Sequence, residues 1–420
     1  MKKNIIKAIS LFLSVLTAVG VFAAAPFSVG AAEASGKTNS WDVNGDGKLK
    51  ILSIGNSFAH DSLEYAQQLI ATKGIDAEID YLYMGGCDIN YHWEAFQNDK
   101  ASYQFRYYKK PYWAVKEPAT IMDALNYRRD GGEAKKDYWD YILFQQASPT
   151  SGVADSYSHL EELVDGVREV VGEKPKFLWL MTWAYAEDYP QFANELYYSK
   201  YYGSNQMTMY NSILNAYQSE VVPLNKFDGV IPSGTAIQNA RTSYLNNYRY
   251  LKTDIDADGN NLGTIKGYQL THDGLHLSRL GQYISNLTVI KAITGISPEE
   301  LPTTFGTGRD GNRIITAATD EEKEVISECV NNAVAEPLKI TQSMYDGKEY
   351  KLGDPNGDGK IDLDDAIFAA EAAVGNTALN DKTRKSADVN GDGEVTIHDA
   401  LLIARLVSGV IDKLPVLKTR

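Results

Sequence analysis

The sequence predicts an α/β fold in two parts: a larger domain with a parallel β-sheet between helices, and a small helical module that contains a repeated loop. Short apolar runs alternate with longer amphipathic stretches from residue 48 to about residue 295, as in a parallel sheet wrapped by helices. Two copies of an Asp-, Asn- and Gly-rich stretch follow later in the chain. With 44% hydrophobic and 23% charged residues among 420, the composition is that of a folded protein.

The first residues have the pattern of an export signal. Lys2 and Lys3 precede an apolar run over residues 5–25, and small residues follow it. We predict a signal peptide over residues 1–32 and a secreted, extracellular protein. An uncleaved membrane anchor is the alternative, because the run approaches the length that spans a bilayer. Beyond it we expect no membrane contact, since no second run of that length follows.

Charge and cysteine content bear on partners and on covalent structure. The chain has 41 Lys+Arg against 55 Asp+Glu and a net charge of −14, which becomes −17 without the three lysines of the predicted signal peptide. Nucleic-acid binding needs clustered basic residues, so we expect no nucleic-acid partner. Cys87 and Cys329 could form one disulfide bridge or remain free thiols.

Each element of the larger domain, predicted over residues 41–336, follows from a local pattern. Short apolar, β-rich runs predict strands at residues 49–54, 77–83, 141–144, 176–181 and 229–231. Amphipathic stretches predict helices at residues 63–72, 158–171, 206–219 and 320–335, the last capped by Thr319. Such an alternation implies right-handed crossovers, with ligands at the carboxyl ends of the strands. Residues 337–352 are predicted to be a linker.

Ser57 is the first candidate catalytic residue. It follows the apolar run at residues 49–54 in the sequence Gly-Asn-Ser, and a helix starts after it. A serine at such a turn has its hydroxyl at the carboxyl edge of the sheet, near helix N-terminal amides that can stabilise an anion. A simple turn or a helix cap is the alternative.

The base for this serine has to come from six histidines. His276 lies three residues after Asp273 and just before an apolar helix, so the carboxylate could orient an imidazole that takes the serine proton. His60 is a weaker rival for this role. His272 suggests a metal site together with Asp273 and His276, but no further ligand cluster accompanies it. We therefore expect no cofactor for catalysis.

Ser57 at the start of the domain, with Asp273 and His276 at its end, resembles the SGNH hydrolase superfamily over about residues 48–292. The resemblance implies a flavodoxin-like three-layer α/β/α sandwich. It also implies an oxyanion hole built from the Ser57 amide, from Gly85 or Gly86, and from a side chain after the third strand. That side chain is usually Asn, whereas here Gln145 is the first choice and Gln146 the second, as in the sialate and acetylxylan esterase branch.

Residues 354–365 and 388–399 are two copies of one twelve-residue loop, and their starts lie 34 residues apart. Oxygen ligands at positions 1, 3, 5, 9 and 12, a backbone carbonyl at position 7 and glycine at position 6 form a calcium loop. An apolar helix follows each loop, at residues 366–374 and 400–407. Two incomplete copies, at residues 42–48 and 254–259, are predicted to be a turn and a polar loop.

This repeat resembles the type I dockerin module of cellulosomal enzymes over residues 353–415, and the resemblance implies two calcium ions. One would be held by Asp354, Asn356, Asp358, the Lys360 carbonyl, Asp362 and Asp365. The other would be held by Asp388, Asn390, Asp392, the Glu394 carbonyl, Thr396 and Asp399. Because Thr396 stands where the first loop has a carboxylate, we expect the second site to be weaker.

The dockerin resemblance also implies a partner, the cohesin module of a scaffoldin. The contact would use loop positions 10 and 11, which are Leu363 and Asp364 in the first loop and Ile397 and His398 in the second. Since the two pairs differ, we expect two unequal binding orientations. A calcium-stabilised pair of loops with no partner is the alternative.

Together these features predict a secreted, cellulosomal carbohydrate esterase. It would remove O-acetyl groups from plant polysaccharide, with acetylated xylan favoured by family analogy, through a Ser57 acyl-enzyme. Aromatic residues concentrated over residues 81–113 would either contact sugars or form a satellite core under a long loop. A non-catalytic carbohydrate-binding accessory module is the alternative function, and a lipase is a third, less favoured one.

Overall fold

The structure is a computed structural model. It describes residues 40–109, 112–127, 136–187, 189, 201–202, 205–246, 254–255, 261–263, 270–307, 313–345, 351–357, 360–379, 381–412 and 414. The predicted signal peptide, residues 1–32, lies outside the described residues. In the part of the chain that the structure describes, no helix is both long enough and apolar enough to cross a membrane.

A seven-stranded, mostly parallel sheet forms the centre of the larger domain. Its strands are β1 (Leu49–Gly55), β2 (Ala77–Tyr83), β3 (Tyr103–Lys109), β4 (Tyr112–Ala119), β5 (Tyr141–Phe144), β6 (Lys176–Leu180) and β7 (Gly229–Ile231). They lie in the order β4-β3-β2-β1-β5-β6-β7. Two short antiparallel pairs lie outside this sheet: β8 (Asp254–Ile255) with β9 (Asn261–Gly263), and β10 (Thr304–Thr307) with β11 (Arg313–Thr316).

The strands β2, β1, β5, β6 and β7 are parallel neighbours, and these are the five strands that the sequence predicts. Every residue of β1 is buried, because β1 is central and covered on both faces. β3 extends the sheet antiparallel to β2, and β4 pairs antiparallel with β3 at the edge of the sheet. This hairpin occupies the aromatic-rich stretch, where the sequence patterns above predict no strand.

Helices cover both faces of the sheet. They are α1 (Ser57–Leu63), α2 (Ala66–Ala71), α3 (Ile89–Gln97), α4 (Ile121–Leu125), α5 (Leu160–Val171), α6 (Gln206–Ala216), α7 (Ser233–Arg241), α8 (Arg279–Thr294) and α9 (Asp320–Ala335). α1, α7, α8 and α9 pack together, and α3, α4 and α5 form a second group. Right-handed crossovers from β1 to β2 and from β5 to β6 run in opposite directions, which puts the two groups on opposite faces.

The first predicted helix, residues 63–72, differs from the structure. Two short helices, α1 and α2, replace it, and α1 begins directly at Ser57, capped by Asn56. The helix that ends the larger domain, α9, has the predicted bounds and the predicted Thr319 cap. The core of this domain continues to Tyr345, so the first part of the predicted linker packs against it.

The small module has its own core. Its helices are α10 (Leu363–Ala373), α11 (Asp381–Ala387) and α12 (Ile397–Val407), and α10 packs against α12. The core consists of small and apolar side chains from these helices and the second loop: Ala366, Ala369, Ala387, Val389, Ala400, Leu402 and Ile403.

In the larger domain, Cys87 and Cys329 are both buried and free, so the disulfide alternative is wrong.

Candidate active site

The carboxyl ends of β1, β2 and β5 lie side by side at one edge of the sheet, because the three strands are parallel neighbours. β1 leads into Asn56 and Ser57, β2 into the turn at residues 84–87, and β5 into Gln145 and Gln146. Candidate residues that are far apart in the sequence therefore meet at this edge.

Ser57 is the first residue of α1, and Asn56 is the N-cap of this helix. The Asn56 side chain accepts a hydrogen bond from an amide of the first turn at 3.0 Å. Gly55 permits the sharp turn from strand to helix, because a Cβ there would lie 2.7 Å from the Cβ of Ala59 and 3.2 Å from the Gln145 side chain. The Ser57 hydroxyl is thus presented at the start of a helix, at the edge of the sheet.

Ser57, His276 and Asp273 form a continuous hydrogen-bonded relay. His276 Nε2 lies 3.0 Å from Ser57 Oγ, and His276 Nδ1 lies 2.7 Å from Asp273 Oδ2. Because a carboxylate only accepts, Nδ1 carries the imidazole proton and Nε2 is left to accept from the Ser57 hydroxyl. Asp273 Oδ1 also accepts the amides of Leu275 and His276 at 2.8 and 2.6 Å, which fixes the carboxylate on its own loop.

The loop at residues 270–278 carries His276 and is held by polar and aromatic contacts. Trp183 Nε1 donates to the Leu275 carbonyl at 2.9 Å. The Trp183 ring stacks on Phe58 with a centroid distance of 4.1 Å, and the His276 ring meets Phe58 edge to face at 5.9 Å. The imidazole is therefore packed against the first turn of α1.

Opposing effects set the charges of the relay. Burial would raise the pKa of the Asp273 carboxyl, but the hydrogen bond and charge of His276, with the loop amides, lower this pKa to about 2. Burial would lower the pKa of His276, but the hydrogen bond to Asp273 and the charges of Asp61 and Asp273 raise it. Asp273 is ionised at neutral pH, so protonation of His276 controls the relay.

Backbone amides beside Ser57 are available to stabilise a negatively charged oxygen. Within the described part of the chain, the amides of Ser57, Gly85 and Gly86 have no hydrogen-bond acceptor. Gly86 has a left-handed φ of +68°, in a turn closed by the Cys87 amide, which donates to the Met84 carbonyl at 3.2 Å. These are the oxyanion-hole amides that the superfamily resemblance implies.

The two glutamines after β5 have different roles. Gln145 Nε2 donates to Asn56 Oδ1 at 2.6 Å and so braces the residue before Ser57. Gln146 Oε1 accepts the Ile89 amide at 3.0 Å, and its Nε2 donates to the carbonyl and hydroxyl of Ser156, each at 2.9 Å. The oxygen and the nitrogen of the Gln146 side-chain amide are both used in hydrogen bonds between loops. The structure therefore contradicts the second-choice assignment of Gln146 as an oxyanion donor.

Asn56 and Asp61 belong to the site although the sequence patterns above give them no role. Asn56 Nδ2 donates to the Cys87 carbonyl at 3.0 Å, so this side chain joins the ends of β1, β2 and β5. Asp61 is buried on α1, and its Oδ2 accepts the Leu277 amide at 2.8 Å. The sequence signals were the N-cap position of Asn56 and the spacing of Asp61, one helical turn after Ser57.

The rival residues have other contacts. His60 Nδ1 lies 2.7 Å from the Tyr81 hydroxyl and 3.0 Å from a Glu64 carboxylate oxygen, so these partners hold its ring. Among the described residues, His272, Asp273 and His276 bring three potential metal-ligand atoms within 4.8 Å of one another. A metal ion there would compete with the hydrogen bonds of the relay, because Asp273 and His276 belong to it.

The described aromatic residues in the stretch 81–113 pack in or against the core of the domain, three of them buried and the others partly exposed. Tyr81, Tyr103 and Phe105 are at most 1% exposed, and Trp93 and Phe96 pack against the same core. These side chains therefore belong to the main core of the domain and not to a satellite core, and sugar contact by the partly exposed rings stays a prediction. The side chains of residues 108–113 lie outside the described part.

The two calcium loops of the small module share one local construction. Position 9, which is Asp362 or Thr396, is the N-cap of the following helix, and position 12, which is Asp365 or Asp399, completes a capping box with it. Both position-12 carboxylates are fully buried. A buried carboxylate on an acidic loop requires a cation nearby, so these oxygen donors fit calcium.

The remaining predicted ligands lie on the same two loops. Asp388 accepts the amides of Gly391, Asp392 and Gly393 at 2.8–3.1 Å, which holds the second loop in its turn. The other described ligand residues are Asp354, Asn356, Lys360, Asn390, Asp392 and Glu394. Asp358 lies outside the described residues.

The four predicted partner-binding residues are all exposed at the starts of α10 and α12. The apolar members, Leu363 and Ile397, are 59% and 55% exposed, and Asp364 and His398 follow them. The module's own core does not use these side chains, so they are available to a partner.

Family comparisons agree with this division of the chain. A model described as "Domain of unknown function (DUF4886)" matches residues 50–293, and one described as "Dockerin type I domain" matches residues 352–408. The crystal structure of a DUF4886 family protein from Bacteroides uniformis ATCC 8492 is 32% identical to the chain, with a TM-score of 0.56, and the match covers 70% of this chain and 98% of that one. The search of curated proteins finds no match.

Type I dockerin domains bind calcium and a cohesin of a scaffoldin. The second module therefore implies docking on a cellulosome, which is an extracellular assembly. The first domain matches its family model over more than half of the chain. The chain belongs to the DUF4886 family, whose domain is joined here to a type I dockerin.

Proposed function

We propose that the DUF4886 domain of this chain is a serine esterase of the SGNH hydrolase type, which removes O-acetyl groups from plant cell-wall polysaccharide. The observation that carries the proposal is the relay in which His276 lies 3.0 Å from Ser57 Oγ and 2.7 Å from Asp273. A serine activated in this way attacks an ester carbonyl and forms an acyl-enzyme.

The reaction follows from the orientation of the relay. His276 Nε2 takes the Ser57 proton as Oγ bonds to the carbonyl carbon, and the imidazolium forms beside Asp273. The amides of Ser57 and Gly86 would donate to the tetrahedral oxyanion. The imidazolium then protonates the leaving sugar oxygen, and water activated by His276 hydrolyses the acyl-enzyme to acetate and free Ser57.

The strand order supports the superfamily part of the proposal. Counted along the chain, the five parallel strands lie in the order second, first, third, fourth, fifth. This is the order of flavodoxin-like doubly wound sheets, whose ligands bind beside the first strand. Ser57 follows that strand.

The substrate class follows from the docking module. A dockerin-bearing enzyme acts where the scaffoldin holds it, on plant polysaccharide, and the resemblance to carbohydrate esterases favours acetylated xylan. Two calcium ions, one in each loop, would support this docking. Tyr81, Tyr103 and Phe105 are buried, which leaves sugar contact to the partly exposed rings of this stretch or to other surfaces of the domain.

The test is acetate release from acetylated xylan and hydrolysis of an aryl acetate by the full chain and its Ser57→Ala variant. We expect Ser57→Ala to lower kcat/KM by at least about 10³-fold, because the nucleophile is removed. Ser158→Ala, which changes an exposed serine, is the matched control and should keep wild-type activity. Full activity in a folded Ser57→Ala variant would refute the mechanism, and inactivity of the wild type with binding to insoluble xylan would favour the carbohydrate-binding alternative.

A further inference from the structure

Asp61 is a buried carboxylate beside the relay that the reaction above does not use. It lies on α1, four residues after Ser57, and is 3% exposed. Its Oδ2 accepts the amide of Leu277 at 2.8 Å, and its Oδ1 accepts Gln282 Nε2 at 2.9 Å. Leu277 directly follows His276, so Asp61 connects the helix of the nucleophile to the loop of the base.

This connection is part of a buried polar network between α1 and α8. The Tyr65 hydroxyl donates to Gln282 Oε1 at 2.8 Å, and Asn286 Nδ2 donates to the Asp61 carbonyl at 2.9 Å. The Tyr65 amide donates to Asn286 Oδ1 at 2.9 Å. The His276 loop leads into α8, so both ends of the Asp61 contact are anchored.

Asp61 also acts on His276 through its charge. The pKa of Asp61 is raised, because burial outweighs the charge of His276 and the hydrogen bonds from Gln282 and Leu277, all of which lower it. Among the described residues, the charged or titratable groups near His276 are Asp273, Asp61 and His272, and the His272 ring stacks on the His276 ring at 5.8 Å. Asp61 is therefore the second carboxylate whose charge acts on the imidazole.

We propose that Asp61 is a positioning residue of the esterase site, an inference that rests on the proposed function. Through the Leu277 amide it holds His276 at a fixed distance from the helix that begins with Ser57. Its negative charge stabilises the imidazolium that forms when Ser57 loses its proton. Asp61 itself exchanges no proton, and no bond to it forms or breaks.

The test compares Asp61→Asn and Asp61→Ala in the full chain. The amide of the Asp61→Asn variant can still accept from the Leu277 amide and, if the Gln282 amide flips, can donate to its oxygen. The Tyr65 hydroxyl then accepts from Gln282 Nε2 instead of donating to its oxygen, so this change removes the charge and keeps the hydrogen bonds. Asp61→Ala removes both. Glu64→Gln is the matched control, because it neutralises a buried carboxylate on the same segment that pairs with His60 at 3.0 Å.

Two readouts separate positioning from charge. With aryl acetate, we expect Asp61→Ala to lower kcat at its pH plateau by about tenfold or more at nearly unchanged KM, and Asp61→Asn to lower it less. In Asp61→Asn, the acid limb of kcat/KM and the NMR titration of His276 should both move down by about 0.5–1 pH unit. Glu64→Gln should leave both readouts unchanged. The His276 signal is assigned as the one lost in His276→Gln.

A wild-type plateau kcat in Asp61→Ala would overturn the positioning role. If Asp61→Ala does not fold, a wild-type plateau kcat and an unshifted acid limb in Asp61→Asn would overturn the proposal instead. An unshifted His276 titration in Asp61→Asn would overturn the charge role. An inactive wild type would refute the proposed function. The NMR titration needs no turnover, so it would still decide whether Asp61 acts on His276.

Discussion

His276 is the residue on which the proposed mechanism depends. Its Nδ1 is bound to Asp273 and its Nε2 faces Ser57, so a single added proton on Nε2 blocks the relay. Asp273 remains ionised through the neutral range, since its pKa is lowered to about 2. The pH response of the site therefore reports one group.

We predict that kcat/KM for an aryl acetate rises with pH and that the midpoint of this rise lies above 6.5. The protonated imidazole cannot accept the Ser57 proton, and the carboxylates raise the pKa of His276 above its usual 6.5, so the inactive form persists to higher pH than for a free histidine. A pH profile of kcat/KM measures the midpoint. A midpoint below 6.5 would mean that burial outweighs the two carboxylates.

Sequence patterns identify the residues whose roles depend on nearby chain positions. Ser57 follows a recognisable apolar strand, and Asp273 stands three residues before His276, so these three are predictable. The Leu277–Asp61 hydrogen bond joins residues 216 positions apart, and no local pattern contains it. Gln146 carries a donor of the right type, but the contacts with Ile89 and Ser156 that commit its amide arise only on folding.

At the scale of elements, the turn between β1 and α1 is the most constrained part of the site. Three loop ends converge on Asn56, which contacts Gln145 and the Cys87 carbonyl. The close approach of helix, strand and Gln145 at Gly55 leaves no room for a side chain. The start of α1, and with it Ser57, is thereby set by backbone packing.

We predict that Gly55→Ala lowers both stability and activity. Its Cβ would lie 2.7 Å from the Ala59 Cβ, so α1 must shift, with a cost of about 1–3 kcal/mol in unfolding free energy. Since α1 carries Ser57, we expect kcat to fall about tenfold or more. Thermal unfolding and aryl acetate kinetics measure the two effects.

Gly229→Ala is the matched control for this substitution. Gly229 also lies in a strand, but a Cβ there would meet Leu178 at an ordinary 3.4 Å. Wild-type stability in Gly55→Ala, or equal losses in the two variants, would contradict the argument from close packing.

The elements that sequence patterns miss are those that burial decides. Tyr103, Phe105 and Tyr107 alternate with Gln104 and Arg106, which is a strand pattern, yet the density of aromatic residues also fits a ligand surface. Pairing of β3 with the edge of β2 buries the first two of these rings and selects the strand. The five parallel strands needed no such information, because their apolar runs are short and bounded.

The turn at residues 42–48 is a further element that the sequence pattern alone does not define. It copies the calcium loop, and Asp140, from the start of β5, accepts the amides of Asn44 and Lys50 at 2.9 and 2.7 Å. Asp399 does the same in the second dockerin loop, for Asn390 and Thr396. Lys50, however, pairs with Asp46 in this turn, so the ammonium group of Lys50 already balances the Asp46 carboxylate.

At the scale of the whole molecule, the larger domain and the dockerin have separate hydrophobic cores. The core of the larger domain includes side chains from Trp41 to Tyr345, and the core of the dockerin includes side chains from Leu352 to Leu414. The relay lies in the first domain, and the exposed apolar residues Leu363 and Ile397 lie in the second. Chemistry and docking therefore depend on different sets of buried contacts.

We predict that removing calcium abolishes cohesin binding and leaves aryl acetate hydrolysis intact. The dockerin core is small, and its buried Asp365 and Asp399 repel neighbouring acidic groups without a cation, so α10 and α12 lose their packing. In the proposed mechanism the relay works without a metal. Native gels with a cohesin and activity assays, each with chelator and after calcium is restored, measure both functions. The double variant Asp365→Asn with Asp399→Asn should lose cohesin binding without chelator. Loss of hydrolysis on chelation would contradict the prediction and point to a metal in the larger domain. His272, Asp273 and His276 would then be the first residues to examine.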